Sequence, residues 1–330
     1  MRPKSILVTG GAGYIGSHML LTLSRAGFKT IAFDNLSSGH RIPMFTGDTV
    51  IGDIQNEALL SDLFSRHHFD AVMHFAASIE VGESVMHPEH YYENNVVATL
   101  QLLKTMRAHR VCHLIFSSSA AIYGEPIYTP LDEKHPCQPL NPYGRSKYMI
   151  EQMLADFAKA YDFHYIALRY FNAAGADPSG LLCEQHTPET HLIPLALQAA
   201  KTGQPLTVYG CDYPTSDGTC LRDYIHVNDL CDAHLLALEA VWQQKTSGCY
   251  NLGSGQGYSV QEVIDTARLI TGLPIPVTYA TRRPGDPTRL VANADLAKEQ
   301  LGWQPRYSDL PTIIKHAWAA RAPLDSLLSI

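Results

Sequence analysis

Tyr143 and Lys147 stand four residues apart in Tyr143-Gly144-Arg145-Ser146-Lys147, a spacing that puts both side chains on one face of a helix. An isolated phenol titrates near pH 10, too high for a base at neutral pH. A neighbouring ammonium favours the phenolate and lowers that value. Ser117-Ser118-Ser119 follows the apolar run Leu114-Ile115-Phe116, which reads as a strand. Ligands of open α/β sheets sit outside the C-terminal ends of the strands, where a serine hydroxyl can join the tyrosine in gripping a substrate oxygen. The Tyr-x-x-x-Lys pattern is common by chance, so its weight rests on its surroundings.

The decisive surrounding is the N-terminal loop. An apolar run over residues 5–8 leads into Thr9-Gly10-Gly11-Ala12-Gly13-Tyr14-Ile15-Gly16 and then a helical pattern. The glycines at 10, 13 and 16 suit a tight turn, a close backbone approach to a pyrophosphate, and close helix–strand packing. The phosphates then meet unpaired N–H groups and the dipole at a helix N-terminus. Asp34 ends the next strand, 18 residues beyond Gly16. A carboxylate there accepts from the adenosine ribose hydroxyls and repels a 2′-phosphate, so NAD is expected rather than NADP. A positive nicotinamide ring would favour the Tyr143 phenolate further. A second glycine cluster, Gly253-Ser254-Gly255-Gln256-Gly257, has no acidic strand end after it; Ser259 and Glu262 read as the capping box of a following helix.

Alternating elements position these groups. Strands are expected over 5–8, 30–33, 71–75, 113–116 and 165–169, and helices over 15–26, 57–67, 89–108 and 143–161, the pattern of βαβ units on a parallel sheet. Residues 172–189 are rich in Gly, Pro, Ala and Asp and read as a crossover loop. Beyond it come shorter elements: helices over 193–201, to about 241, and over 260–270, strands over 206–209, 223–227, 249–252 and near 276–279, and two final helices. The expected fold is α/β, a Rossmann-type doubly wound parallel sheet with a smaller mixed α/β C-terminal lobe. Residues 1–171 form the cofactor domain in this reading and 172–330 mainly the substrate lobe, with part of 210–255 returning to the first.

Composition sets the outer limits. A chain of 330 residues with 45% hydrophobic residues buries about three quarters of its unfolded surface and needs no staple. The net charge is −7 and the longest basic run is Arg282-Arg283, which argues against nucleic acid as a partner. No stretch reaches the roughly 18–20 apolar residues that span a bilayer, and Ile6-Leu7-Val8 is too short for a signal-peptide core. The seven cysteines include no Cys-x-x-Cys pair, which suggests free thiols in a reducing compartment, the cytoplasm. Sixteen histidines include no His-Glu-x-x-His; they read as solvated or capping, and no metal is expected. His87-Pro88-Glu89-His90 suits a helix start.

Gly10, Gly13, Gly16, Asp34, Asp53-Ile54, Phe75-Ala76-Ala77, Ser117-Ser118-Ser119 with Tyr123-Gly124, and Tyr143/Lys147 together resemble the extended short-chain dehydrogenase/reductase superfamily. Within it, Val81-Gly82-Glu83-Ser84, Asn94-Asn95, Arg169-Tyr170-Phe171-Asn172, His191-Leu192-Ile193-Pro194, Gly218-Thr219, Arg222-Asp223-Tyr224-Ile225-His226-Val227, Asn251-Leu252-Gly253 and Arg282-Arg283-Pro284-Gly285-Asp286 are similar to the UDP-galactose (UDP-glucose) 4-epimerase family. The resemblance spans essentially the whole chain.

It implies that Tyr143 removes the proton of the sugar 4-hydroxyl while hydride passes from C4 to NAD, and that the 4-keto sugar turns over and regains hydride on its other face. Lys147 would tune Tyr143 and hold the nicotinamide ribose; Ser119 would hydrogen-bond the reacting oxygen. The implied cofactor set adds Tyr14, Ile15, Asn35, Phe75, Ala76, Ala77, Tyr170 and Phe171, with Asp53 and Ile54 at the adenine and Asn94 at the pyrophosphate. Asn172, Arg222 and Arg283 would bind the UDP diphosphate, for which a planar guanidinium is suited. Leu192 and Thr207, Val208 and Tyr209 would surround uracil, with His191 beside them and Asp286 at the ribose. A homodimer is implied.

Three positions depart from the family pattern. Ile79 stands where many members have Lys near the nicotinamide, His191 where some have Asn, and Leu290 where members restricted to unacetylated sugars have a bulky Tyr. Leu290 leaves room for an N-acetyl group, so UDP-N-acetylhexosamines are an alternative substrate; separately, no motif excludes UDP-pentoses or another UDP-sugar. A nucleotide-sugar 4,6-dehydratase would need a carboxylate pair where this chain has Ala120-Ala121, and alanine does no acid–base chemistry. A regulatory module would not need Ser119, Tyr143 and Lys147 intact.

Overall fold

A computed structural model describes residues 4–37, 47–186, 188–244, 246–283 and 286–327. Pro284 and Gly285 of the sequence motif lie outside the described residues.

The chain opens with β1 (Ser5–Thr9), α1 (Tyr14–Arg25), β2 (Lys29–Asp34), β3 (Gly47–Ile51), α2 (Glu57–Arg66) and β4 (Ala71–His74). It continues with α3 (Val81–Met86), α4 (Pro88–Tyr91), a π-helical turn (Tyr92–Val97), α5 (Ala98–Ala108), β5 (His113–Ser119), a 3₁₀ turn (Ala120–Ile122), α6 (Pro142–Ala160) and β6 (His164–Tyr170). The second half holds β7 (Asn172–Ala174), α7 (Leu192–Thr202), β8 (Leu206–Tyr209), β9 (Leu221–His226), α8 (Val227–Gln244), β10 (Gly248–Leu252) and β11 (Gly257–Ser259). It ends with α9 (Val260–Thr271), β12 (Val277–Ala280), β13 (Arg289–Leu290), α10 (Asp295–Leu301) and α11 (Leu310–Leu327).

Seven strands form one parallel sheet in the order β10-β6-β5-β4-β1-β2-β3. The centres of β1, β2, β4, β5 and β6 are continuous apolar runs, as a sheet covered on both faces requires. Ile6 and Val8 point into one core with α1 and α8, while Leu7 between them points into the other with α2, α5 and α6, the strand's period of two. The helices carry their own start signals. Asn56 caps α2, and Asn141 caps α6 with Pro142 at its first position. Ser259 and Glu262 close a reciprocal capping box on α9.

The smaller lobe has β11, β9 and β13 in one sheet with β7 alongside β9, and a separate parallel pair β8–β12. Helices α7, α9 and α11 enclose its core of Ile193, Leu197, Val263, Ile264 and Ile313. The chain crosses between lobes more than once. β10 joins the edge of the large sheet beside β6, and α8 and α10 cover the first core through Leu230, Leu238, Ala297 and Leu301.

Local structure departs from the sequence expectation in several places, α3 and β11 among them. The helix expected over 89–108 is interrupted by the π turn at Tyr92–Val97. β3 ends on Val50-Ile51 after polar residues, too short an apolar run to read as a strand. β7 and β13 are three and two residues long, below the length at which alternation is readable.

Candidate active site

The glycines of the first loop divide their work. Gly10 has φ +70°, and a Cβ there would stand 2.5 Å from the Ala76 backbone nitrogen. A Cβ on Gly16 would stand 2.0 Å from the Gly10 carbonyl oxygen. Both glycines therefore let backbone pack on backbone. Gly13 differs: its nearest would-be contact is 3.4 Å away, and it caps α1 without a side-chain hydrogen bond. The open face of Gly13 and the uncapped amides of α1 form a cradle suited to an anionic group such as a pyrophosphate.

Asp34 ties this loop to the end of β2. Its Oδ2 accepts from Ala12 N–H and its Oδ1 from Leu36 N–H, each at 2.8 Å. A carboxylate has about four acceptor positions, so two remain for ribose hydroxyls. Asn35 Nδ2 donates to Asp53 Oδ2 at 2.8 Å, and Gln55 N–H donates to Asp53 Oδ1 at 2.8 Å. Ile54 beside them is buried. Phe75, Ala76 and Ala77 follow β4, and Phe75 packs its ring 5.0 Å from His234. Ile15 packs against the first core. Tyr14 is turned away from solvent and donates its hydroxyl to the Gly175 carbonyl at 2.8 Å.

Tyr143 and Lys147 lie in the first two turns of α6, as the spacing predicts. The Lys147 Nζ is buried, donates to the Ser117 carbonyl at 2.8 Å and stands 5.9 Å from the Tyr143 ring centre. Ser119 ends β5; its Oγ accepts from Ala121 N–H at 3.1 Å and lies near enough to Tyr143 to favour the phenolate. The electrostatics of the protein alone differ from the expectation of a phenol held down by its lysine. Burial pushes Tyr143 up, with the Ser119 hydroxyl pulling the other way. Burial also holds Lys147 down to about 7. Desolvation penalises the charged form of each group.

Two supporting sets were not read as functional from the sequence. Asn95, on the π turn, accepts from Ser78 N–H at 2.8 Å and donates to the Ser78 carbonyl and to Ser146 Oγ, both at 3.0 Å. It fixes α6 next to Lys147, while Asn94 donates to Ser78 Oγ at 2.9 Å. Glu151 continues the face of Tyr143 and Lys147 by one more turn and receives Ser118 Oγ at 2.5 Å. An arginine at the end of an otherwise apolar strand, Arg169, was the available signal for its partner. Tyr170 pairs with Ser119 across β5–β6 and turns its hydroxyl to His234; Phe171 packs with Ile122 and Tyr123.

The remaining candidates gather on the small lobe. Asn172 donates to the Asp223 carbonyl at 2.7 Å. Arg222 is paired with Asp286 and lies opposite Leu290 in register. The Arg283 guanidinium stacks 4.1 Å over Tyr209. Val208 is buried, and Thr207 reaches Thr278 at 3.3 Å. Leu192 opens α7 against the third core, and His191 before it contacts Glu184 at 2.5 Å. The second glycine cluster wraps buried Asp223, which accepts from Ser254, Gly255 and Ala292 N–H groups, so it is a structural turn.

Comparison with known proteins gives relatives of the same fold. Residues 6–253 match the NAD dependent epimerase/dehydratase family. A UDP-glucose 4-epimerase of Halalkalibacterium halodurans is 51% identical over 316 residues, covering 95% of this chain and 94% of that protein. The crystal structure of UDP-glucose 4-epimerase from Brucella ovis in complex with NAD is 49% identical with a TM-score of 0.93, covering 96% of this chain and 98% of that one. A UDP-glucose-4-epimerase from Stenotrophomonas maltophila with bound NAD and formylated UDP-arabinopyranose has a TM-score of 0.94 at 39% identity, covering 98% and 99%. Likeness of this extent takes in both lobes, and the chain belongs to the NAD dependent epimerase/dehydratase family.

Proposed function

We propose that this chain interconverts UDP-galactose and UDP-glucose by NAD-dependent epimerisation at C4. The observation that carries the reading is the gathering of Tyr143, Lys147 and Ser119 at the C-terminal end of β5, with Lys147 one turn beyond Tyr143 on α6 and fixed on the Ser117 carbonyl. The glycine cradle at Gly13 and the free acceptor positions of Asp34 fit the cofactor. Bound NAD supplies the acceptor, then the donor, of the C4 hydride.

The chain's own residues handle the proton and the nucleotide. Tyr143 takes the proton of the 4-hydroxyl as the C4–H bond breaks and returns it when that bond forms on the other face. Ser119 holds the reacting oxygen in place. Lys147, fixed on the Ser117 carbonyl, presents its positive charge to the phenolate and the nicotinamide ribose. Phe75, Ala76, Ala77, Tyr170 and Phe171 border the nicotinamide half, and Asn35, Asp53, Ile54 and Asn94 the adenosine and pyrophosphate. Asn172, Arg222 and Arg283 bind the diphosphate of the substrate, and Asp286 orients Arg222 beside the uridine ribose. Leu192, Thr207, Val208 and Tyr209 line the uracil site with His191 at its edge.

Residues 1–171 serve mainly the cofactor and 172–330 mainly the UDP-sugar, with α8 and β10 returning to the first. A homodimer is part of the reading, supported by exposed Val97, Leu100 and Met149 on the turn before α5, on α5 and on α6. Among the described residues no helix is long and apolar enough to cross a membrane. All seven cysteines are free thiols, which fits a reducing compartment such as the cytoplasm; a role in galactose metabolism follows from the proposed reaction alone. The test is incubation of the purified protein with UDP-galactose and NAD, products resolved by chromatography. UDP-glucose is expected; unchanged UDP-galactose at saturating NAD overturns the reading.

A further inference from the structure

The crossover between β7 and α7 brings Glu184, His186, Glu189 and His191 together, with one ligand atom of each within 4.8 Å of all the others. His186 Nδ1 lies 3.3 Å from Glu184 Oε1 and 3.8 Å from Glu189 Oε1. His191 Nδ1 lies 2.5 Å and 3.8 Å from the same two oxygens. Nitrogen and oxygen ligands about 2.0–2.1 Å from a tetrahedral ion stand about 3.3–3.4 Å from one another. Three of the four separations fall within about 0.5 Å of that edge. The fourth is a direct His191–Glu184 hydrogen bond, which an ion would part.

Two further observations point the same way. The His186 Nδ1 atom is buried and makes no hydrogen bond, although it faces two carboxylates and a second imidazole. Buried polar atoms are almost always hydrogen-bonded, and His186 Nδ1 has only ion-pair contacts to Glu184 and Glu189, which an ion at the centre of the ring would replace. Glu189 is held in place by the backbone: its Oε1 accepts from the N–H groups of Thr190 and His191, each at 2.9 Å, one of which an ion on that oxygen would displace. Such outer contacts fix a metal-binding carboxylate.

We propose that Glu184, His186, Glu189 and His191 bind one divalent transition-metal ion, zinc by the chemistry of the set. Two imidazoles with two carboxylates suit zinc, whereas calcium and magnesium take all-oxygen sets. Two carboxylates balance the charge of the dication. Four protein ligands leave no open position, so the ion is structural. It fastens the crossover at a junction of the two lobes. His186 sits edge-on to Tyr14, whose hydroxyl holds Gly175, and His191 immediately precedes α7. Thr190 donates to Glu80 at 3.2 Å just before α3. The proposal does not depend on the reaction assigned above.

The test uses the full chain, stripped by dialysis against a chelator and reloaded with Zn²⁺ or Co²⁺. About one ion per chain is expected, with a raised thermal midpoint and the visible absorption bands of four-coordinate Co²⁺. His186→Gln and Glu189→Gln should bind at least about tenfold more weakly with unchanged far-ultraviolet circular dichroism. No uptake by the parent protein, or equal uptake by both variants, overturns the proposal. So does a cobalt–thiolate charge-transfer band, which would put the ion on cysteines such as Cys183. The cobalt spectrum of the parent decides the ligand set even where a variant fails to fold.

Discussion

Arg169 grips Glu151 at two points inside the protein, Nη2 to Oε2 at 2.7 Å and Nε to Oε1 at 3.0 Å. Arg169 Nη1 also donates to the Tyr123 hydroxyl at 2.8 Å, and that hydroxyl donates to Asn251 at 2.6 Å. The pair thus links α6, which carries Tyr143 and Lys147, to β6 and β10. Removing one partner of a buried pair leaves the other charge uncompensated, at a cost of about 3–5 kcal/mol. Glu151→Ala is therefore expected to lower the unfolding free energy by that order in a denaturant titration. A loss below about 1 kcal/mol would show that solvent reaches Arg169 and the pair is dispensable.

Tyr143→Phe removes the hydroxyl proposed to move the substrate proton while keeping the ring against Tyr91. Turnover of UDP-galactose should fall by about 10²–10⁴-fold, the usual share of general acid–base catalysis. Bound cofactor, released by denaturation and measured by absorbance, should stay at the parental level. A rate within a few-fold of the parent sinks the mechanism.

Burial lowers Lys147 to about 7 in the folded, cofactor-free protein, against about 10.4 in an unfolded chain. Between those values the unfolded state holds a proton that the folded state lacks, so stability rises with pH across the window. At and below its lower end the cost of burying the ammonium is present in full, and above its upper end that cost has gone. Lys147→Met should accordingly raise the thermal midpoint of cofactor-free protein at about pH 6 and lose that advantage by about pH 10.5. The same gain at both values would refute this account of the lysine.

Gly13 and Gly16 should fail in different ways. Gly16→Ala forces a Cβ onto the Gly10 carbonyl and should cost about 1–3 kcal/mol of stability through overpacking. Gly13→Ala meets no protein atom closer than 3.4 Å, so the fold persists while NAD affinity drops. Melting curves and equilibrium NAD binding on the two variants separate the roles; equal stability losses would contradict them.

Leu290 is half-buried on β13 against the cluster of Ile122, Tyr123 and Phe171. Turnover of UDP-N-acetylglucosamine alongside UDP-galactose is expected, and Leu290→Tyr should suppress the acetylated substrate selectively. If the parent converts none of it, Leu290 is not the gate.

What could be read from the chain in advance follows from the range of each signal. The cofactor loop, Asp34 and the Tyr143/Lys147 face lie within single turns of a strand or helix, where spacing alone fixes geometry. Glu151 and Arg169 are 18 residues apart and meet only through the packing of α6 on β6. The π turn at Tyr92–Val97 follows from no local pattern. Its buried Asn95 is satisfied by Ser78 and Ser146, 17 and 51 residues away. The histidine reading as solvated or capping groups treated each imidazole singly. His186 and His191 acquire their meaning from Glu184 and Glu189 facing them across a folded crossover.

The position of β10 governs how the protein is made. The large sheet receives its last strand only after residue 248 has been synthesised, and α8 arrives just before it. Until then β6 presents an unpaired edge and α1 lacks the helix that covers it, a surface that invites pairing with other chains. A nascent chain stalled in the crossover would be aggregation-prone, and a fragment cut at 171 would inherit the same defect.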